Sequence, residues 1–288
     1  MKLKFSFWLL LIVAANLAFG QKKQPYTEVK AGVEYQLIGT YNLQKLNKIL
    51  TTEMDAFMSA SSVPASDFKG SFVKPKYVVK LYRVKYSSVV PEHNNMRTVA
   101  TGLIAIPETG TDSMAVVSYQ HGTVFNKTEV PSFPDESSET KIMIAQFASQ
   151  GYIVIAADYF GMGTSDLPNS YLVKSSSEQA CVDMLFASKD VLKTLDVKPG
   201  HLFVHGWSQG GWTNMAFLRR LEEMGIPVTA ASTASAPVDA FAAFNRWVNN
   251  YQAGDAVYLP GCASNYIFAL EYYHQMPGLS AAAIRPKY

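Results

Sequence analysis

Apolar positions recur along the chain in two rhythms, and the change between them divides it. Over residues 41–60, Leu43, Leu46, Ile49, Leu50, Met54, Phe57 and Met58 repeat every three or four positions, a spacing that lines one side of a helix. Residues 21–39 before it are polar and read as irregular, and residues 61–70, rich in small and turn-forming side chains, read as a linker. From residue 77 the period shortens. Residues 77–86 set Val79, Leu81 and Val84 among polar neighbours, residues 98–106 run up to Pro107, and residues 114–119 are a short apolar run stopping before His121-Gly122. Three such runs joined by short turns predict an antiparallel or mixed beginning to a sheet.

Helix and strand then alternate. Residues 141–150 have a helical pattern closed by Gly151, a residue suited to a helix C-terminus. Residues 152–157 are almost uninterruptedly apolar, as in a strand covered on both faces. Residues 175–195 predict a long helix whose Ser175 and Glu178 have capping-box spacing. A strand at 201–204, a helix at 210–224 and a strand at 228–236 follow. This order implies parallel strands with crossover helices. Beyond residue 238 the rhythm stops, and aromatics such as Phe241, Trp247, Tyr258 and Tyr272 crowd into segments that read as helices and loops.

Composition narrows the picture. Hydrophobic residues make up 48% of the 288 and charged ones 17%, enough for a sizeable core and too little charge for disorder. A net charge of +2 from 25 basic and 23 acidic residues leaves no basic stripe for nucleic acid, so no nucleic-acid partner is expected. Lys74, Lys76, Lys80, Arg83 and Lys85 cluster loosely with near-alternate spacing, as on the solvated face of a strand. At the N-terminus Lys2 and Lys4 precede the apolar residues 5–19, and Ala18-Phe19-Gly20 supplies small residues before Gln21. That pattern predicts a signal peptide over residues 1–20. The run is shorter than the roughly 20 residues of a membrane helix, so the expected location is secreted or periplasmic, with no stable span after cleavage. The cysteines, Cys181 and Cys262, read as two separate buried thiols, although export would permit a disulfide. No histidine–carboxylate spacing marks a metal site, and no cofactor is expected.

The candidate chemistry lies at the ends of three strands. Gly206-Trp207-Ser208-Gln209-Gly210 is a G-x-S-x-G sequence between an apolar strand and an amphipathic helix, the setting in which a serine is raised as a nucleophile. Tyr119-Gln120-His121-Gly122-Thr123 follows an earlier strand. Asp158-Tyr159-Phe160-Gly161-Met162-Gly163-Thr164-Ser165-Asp166 follows another; it lacks the dinucleotide fingerprint and reads as a tight structural loop.

These three elements, in this order, resemble the α/β-hydrolase superfamily, closest to its secreted lipase and esterase branch, over about residues 77–240. The resemblance implies an α/β-hydrolase fold: a mostly parallel sheet with helices on both faces and a partial helical lid at the C-terminus. The expected organisation is a signal peptide (1–20), a helical segment and linker (21–70), an incomplete hydrolase core (71–240) and the start of a lid (241–288). It also implies an acyl-enzyme mechanism at Ser208, with the amides of Gln209 and Thr123 as oxyanion donors and Gly122 allowing close backbone approach. The substrate would be a small-molecule carboxylic ester. The family order continues from the serine to an acid and then a histidine, and two expectations stand for these. In one, the chain stops within the lid and lacks both groups; in the other, Asp239 is the acid and His274 the base, although Asp239 also suits a helix N-cap. A peptidase of the same fold and a catalytically inactive binding relative are the alternative functions.

Overall fold

The computed structural model describes residues 24–54, 72–255 and 257–284. The expected signal peptide and the linker at 61–70 lie outside the described residues. Among the described residues eight strands make one sheet: β1 (Thr27–Lys30), β2 (Val33–Tyr41), β3 (Val79–Val90), β4 (Met96–Pro107), β5 (Ser113–Gln120), β6 (Ile153–Ala157), β7 (Lys198–Trp207) and β8 (Ala230–Ala234). Their spatial order is β1-β2-β3-β4-β6-β5-β7-β8. The first four pair antiparallel, β4 meets β6 antiparallel, and β6, β5, β7 and β8 run parallel to one another. The chain thus goes from β5 to one side and returns across it to the other. In open α/β sheets such a reversal opens a crevice at the carboxyl ends of the strands.

Alternation along the strands decides which helices cover which face. From β6, Ile153, Ile155 and Ala157 join Val84, Ile104, Val116 and Val204 in one core, beneath helices α3 (Lys174–Thr194) and α4 (Gln209–Glu223). Val154 and Ala156 point the other way, joining Leu81, Leu103, Val117 and Tyr119 under α1 (Leu43–Lys48) and α2 (Ser138–Gln146). The unbroken apolar run of β6 is therefore two interleaved half-cores. After β8 come α5 (Ala240–Asn249), α6 (Leu259–Tyr273) and α7 (Leu279–Ala283).

Two local expectations need correction. Residues 27–41 are the hairpin β1–β2, not an irregular stretch. It turns at Gly32 with φ +80°, and β2 pairs with β3 along its length. A register shift between Leu37 and Gly39 breaks the alternation, and polar Gln36 is buried while Leu37 and Ile38 are only half-buried, which hid the strand. The capping box at Ser175 and Glu178 does not form, because α3 begins one residue earlier, at Lys174 after Val173. Its first turn is capped by Glu92 from the β3–β4 connection, which accepts from the Ser176 amide at 3.1 Å and the Ser176 hydroxyl at 2.6 Å.

The basic residues on β3 have partners on neighbouring strands and turns. Lys80 pairs with Glu108 at 2.8 Å, Lys85 with Glu34 at 3.4 Å, and Arg83 donates to the Ser132 carbonyl at 2.8 Å. Cys181 and Cys262 are both buried free thiols.

Candidate active site

The parallel strands β6, β5 and β7 bring the three motifs together at their carboxyl ends. Gln120 at the end of β5 lies opposite Gly206 near the end of β7, so the loops that follow leave side by side. Ser208 occupies the turn between β7 and α4 with φ 56° and ψ −127°. For a residue with a Cβ this is a strained conformation, costing on the order of 1–3 kcal/mol. The fold holds it by pairing the Ser208 amide with the Ala234 carbonyl of β8 at 2.9 Å and by continuing at once into α4. Ser208 is half-buried, whereas Gln209 and Gly210 behind it are buried.

The glycines of the motif are explained by crowding at this turn. A Cβ on Gly206 would lie 2.2 Å from the Gly210 carbonyl oxygen, and one on Gly210 would lie 2.0 Å from the Gln120 carbonyl oxygen. Each contact is with backbone, which cannot swing aside. The turn, the start of α4 and the end of β5 therefore pack closer than side chains allow. Gly211 extends the same packing to β8, where a Cβ would stand 2.7 Å from the Ala234 oxygen.

The loop after β5 is anchored from below. His121 is 1% exposed. Its ring stacks on Tyr159 with centroids 4.2 Å apart, and its two nitrogens reach the carbonyl oxygens of Gly122 (2.8 Å) and Asp158 (3.1 Å). Asp158, also fully buried, accepts from the Thr101 hydroxyl at 2.6 Å and the Ser132 amide at 2.8 Å. Burial pushes its carboxyl above the ordinary carboxylate range despite these donors. Residues 158–166 are the expected structural loop. Tyr159, Gly161 and Gly163 adopt positive φ, and a Cβ on Gly163 would strike the Asp158 carboxylate. His121 thus braces the loop.

Gly122 donates its amide to Glu139 at 2.9 Å, and next to it Thr123 is half-buried. The Thr123 hydroxyl meets the Tyr171 hydroxyl at 3.1 Å. Over this loop sits the start of α6, where Phe125 packs edge-on against Tyr258 at 6.4 Å and Cys262 is buried. At its other end α6 is tied to the sheet domain by the Tyr273 hydroxyl, which donates to the Pro168 carbonyl at 2.7 Å, and by His93 against Tyr272.

Asp239 and His274 stand elsewhere. Asp239 is the N-cap of α5, its carboxylate accepting from the Ala242 amide at 2.8 Å. His274 is the exposed C-cap of α6. Among the described residues no hydrogen bond joins either of them to Ser208 or to the other. His205, on β7, is pushed below the ordinary histidine range by burial and stacks against Tyr119. No group of three potential metal ligands occurs among the described residues.

Sequence reasoning missed Glu139. It stands in the first turn of α2, where it accepts from the Tyr119 hydroxyl, the Gly122 amide and the Trp207 indole N–H. The only linear signal is an acidic residue early in a helix, which is commonplace.

No family model matches the chain, and no curated protein matches it. Solved structures do. A Legionella pneumophila protein described as a hydrolase superposes with a TM-score of 0.72 at 22% identity, over 91% of this chain and 66% of that one. The rice cell wall degrading esterase LipA from Xanthomonas oryzae superposes at 0.67 and 19%, over 88% of this chain and 61% of that one. Candida antarctica lipase A in its closed state gives 0.52 and 18%, over 76% and 53%. The chain thus spans 53–66% of the length of these three proteins. At these identities the likeness is one of fold.

Proposed function

Because the chain has the α/β-hydrolase fold, we propose that it is a secreted serine hydrolase that cleaves carboxylic esters through an acyl-enzyme on Ser208. The observation that carries this reading is the Ser208 backbone, held at positive φ at the head of α4 with glycine on either side in G-x-S-x-G. Other turns also hold side-chain-bearing residues at positive φ, Ser235 among them, so what supports a nucleophile at Ser208 is that conformation together with its place between a parallel strand and the head of a helix. In the proposed reaction the Ser208 oxygen attacks the ester carbonyl, and a base removes its proton. The resulting oxyanion lies between the amides of Gln209, the first residue of α4, and Thr123. The positive end of α4 favours negative charge at the same place. The tetrahedral intermediate expels the alcohol, and water releases the acid in the second half of the cycle.

Support for an ester substrate comes from the neighbouring folds, which include an esterase and a lipase, and from the aromatic pair Phe125 and Tyr258 beside the oxyanion loop. Such a pair suits an apolar acyl or aryl group.

The test is covalent labelling of the 288-residue chain by a fluorophosphonate. One adduct, located on Ser208 and absent in Ser208→Ala, is the expected result; an adduct that survives Ser208→Ala would overturn the assignment. The variants Asp239→Asn and His274→Asn separate the two expectations for the acid and base. Unchanged labelling rates would show that neither serves Ser208, and a fall of about 1000-fold or more in each would identify a triad.

A further inference from the structure

We propose that Glu139 is a positioning residue that fixes the oxyanion loop against the nucleophile turn. The proposal rests on the Ser208 reading for its catalytic meaning but on separate contacts for its geometry. Three donors from three places meet the same oxygen, Oε1. Tyr119 comes from the end of β5, Gly122 from the loop that follows, and Trp207 from the end of β7. Gly122 immediately precedes the proposed donor Thr123, and Trp207 immediately precedes Ser208. One carboxylate therefore bridges the two segments whose separation sets the width of the oxyanion site.

The backbone path of β5 and β7 does not fix that width alone. Their ladder ends at Gln120 opposite Gly206, and beyond it no strand pairing ties residues 121–123 to residues 207–208. Glu139 supplies the tie at this point, from a third element. α2 is itself fixed in the opposite core by Ile142 and Ile144 and is capped by Ser137, which accepts from the Thr140 amide at 3.2 Å. Glu139 is thus not needed as its helix's cap and is free to reach across. Its fit against glycine is close. A Cβ on Gly122 would stand 3.0 Å from Glu139 Oε2 and 3.4 Å from the Trp207 indole nitrogen, so any side chain at 122 would press on the clamp. Charged hydrogen bonds are stronger than neutral ones, and displacement of a catalytic group by about 1 Å can cost about 100-fold in rate.

The titratable groups facing the carboxylate are Tyr119, which donates to it, and His121 and Tyr159, which act on it through space. Burial pushes the Glu139 carboxyl above the ordinary carboxylate range against the pull of its donors. Protonation removes the negative charge that those donors share, so the clamp is strongest above the pH at which Glu139 ionises.

The experiment compares the full chain with Glu139→Ala, Glu139→Gln and Trp207→Phe. Hydrogen exchange at the Gly122 and Thr123 amides reads the clamp, and amides of β3 report global stability. Exchange at 122 and 123 should rise by about 10-fold or more in Glu139→Ala and less in Glu139→Gln, which keeps a neutral acceptor, while β3 is unchanged. The fluorophosphonate rate at Ser208 should follow the same order, with a loss of about 100-fold in Glu139→Ala. Trp207→Phe keeps the carboxylate, removes one donor and should give an intermediate loss.

Unchanged exchange at 122 and 123 in Glu139→Ala would overturn the proposal, as would a rise that β3 shares equally. Normal labelling in all three variants would also overturn it. If the native chain is not labelled at all, the hydrolase reading fails, and the exchange pattern still decides whether Glu139 fixes the loop.

Discussion

At the scale of single residues, the buried carboxyls are what make this site costly to fold. Glu139 and Asp158 both lie in surroundings that push their carboxyls above the ordinary values of 4.5 and 3.8. The folded chain therefore holds these protons more tightly than the unfolded chain does. Between the ordinary value and the raised one, the folded state carries more bound proton, so stability falls as pH rises through that window. Acids such as Asp112 and Asp255, held low by Lys198 and Arg246, work in the opposite sense, so the effect of Glu139 shows as a difference between two chains. Denaturant midpoints measured from pH 4 upward should decline more steeply in the native chain than in Glu139→Gln. Parallel curves would mean that Glu139 does not titrate with folding. The cost is consistent with a functional role, since polar groups of this kind are sites where sequences depart from simple core rules.

At the scale of elements, the caps show how much of the local structure is supplied from a distance. α2 and α5 carry their own caps in Ser137 and Asp239. α3, the 21-residue helix under the sheet, depends on Glu92, which lies 84 residues away from Ser176. Losing a cap usually costs about 1 kcal/mol, and here a buried hydroxyl and an amide lose their partner together. Glu92→Ala should therefore lower the unfolding free energy by about 1–3 kcal/mol, seen as a lower denaturant midpoint with an unchanged slope. Ser175→Ala, at the position that the linear pattern marks as the cap, should leave the midpoint within about 0.5 kcal/mol of native. The reverse ranking would restore the local box.

At the scale of the whole molecule, the two edges of the sheet differ. β1 is four residues long and carries Glu28 and Lys30, a charged and short edge that resists further pairing. β8 is uncharged, exposed at all of its five positions, and among the described residues has a strand on one side alone. Near it stand Val238 and Phe241, 83% and 81% exposed. An open edge next to exposed apolar side chains favours association. The chain should therefore self-associate at micromolar concentration. Ala231→Lys, which puts a charge on that edge, should raise the monomer fraction in sedimentation velocity. If the fraction does not move, the contact is made elsewhere.

The linear pattern was enough to find the sheet from residue 79 to β8, its covering helices and the serine turn. These features depend on local periodicity and on glycines whose role is steric, and both are written in neighbouring residues. The β1–β2 hairpin was not legible, because its bulge disturbs the alternation and its burial comes from β3, whose partners lie 38 to 53 positions along the chain. The cap on α3 and the meeting of Tyr119, Gly122 and Trp207 on one carboxylate were equally hidden. Residues 119, 139 and 207 have no sequence relation to one another; only the parallel pairing of β5 with β7, and the packing of α2 beside it, brings them within hydrogen-bonding reach. The serine turn could be read from the chain because its requirements are local. The spacing between the serine turn and the loop at 121–123 was decided by tertiary structure, because it is a distance between segments that are far apart in sequence.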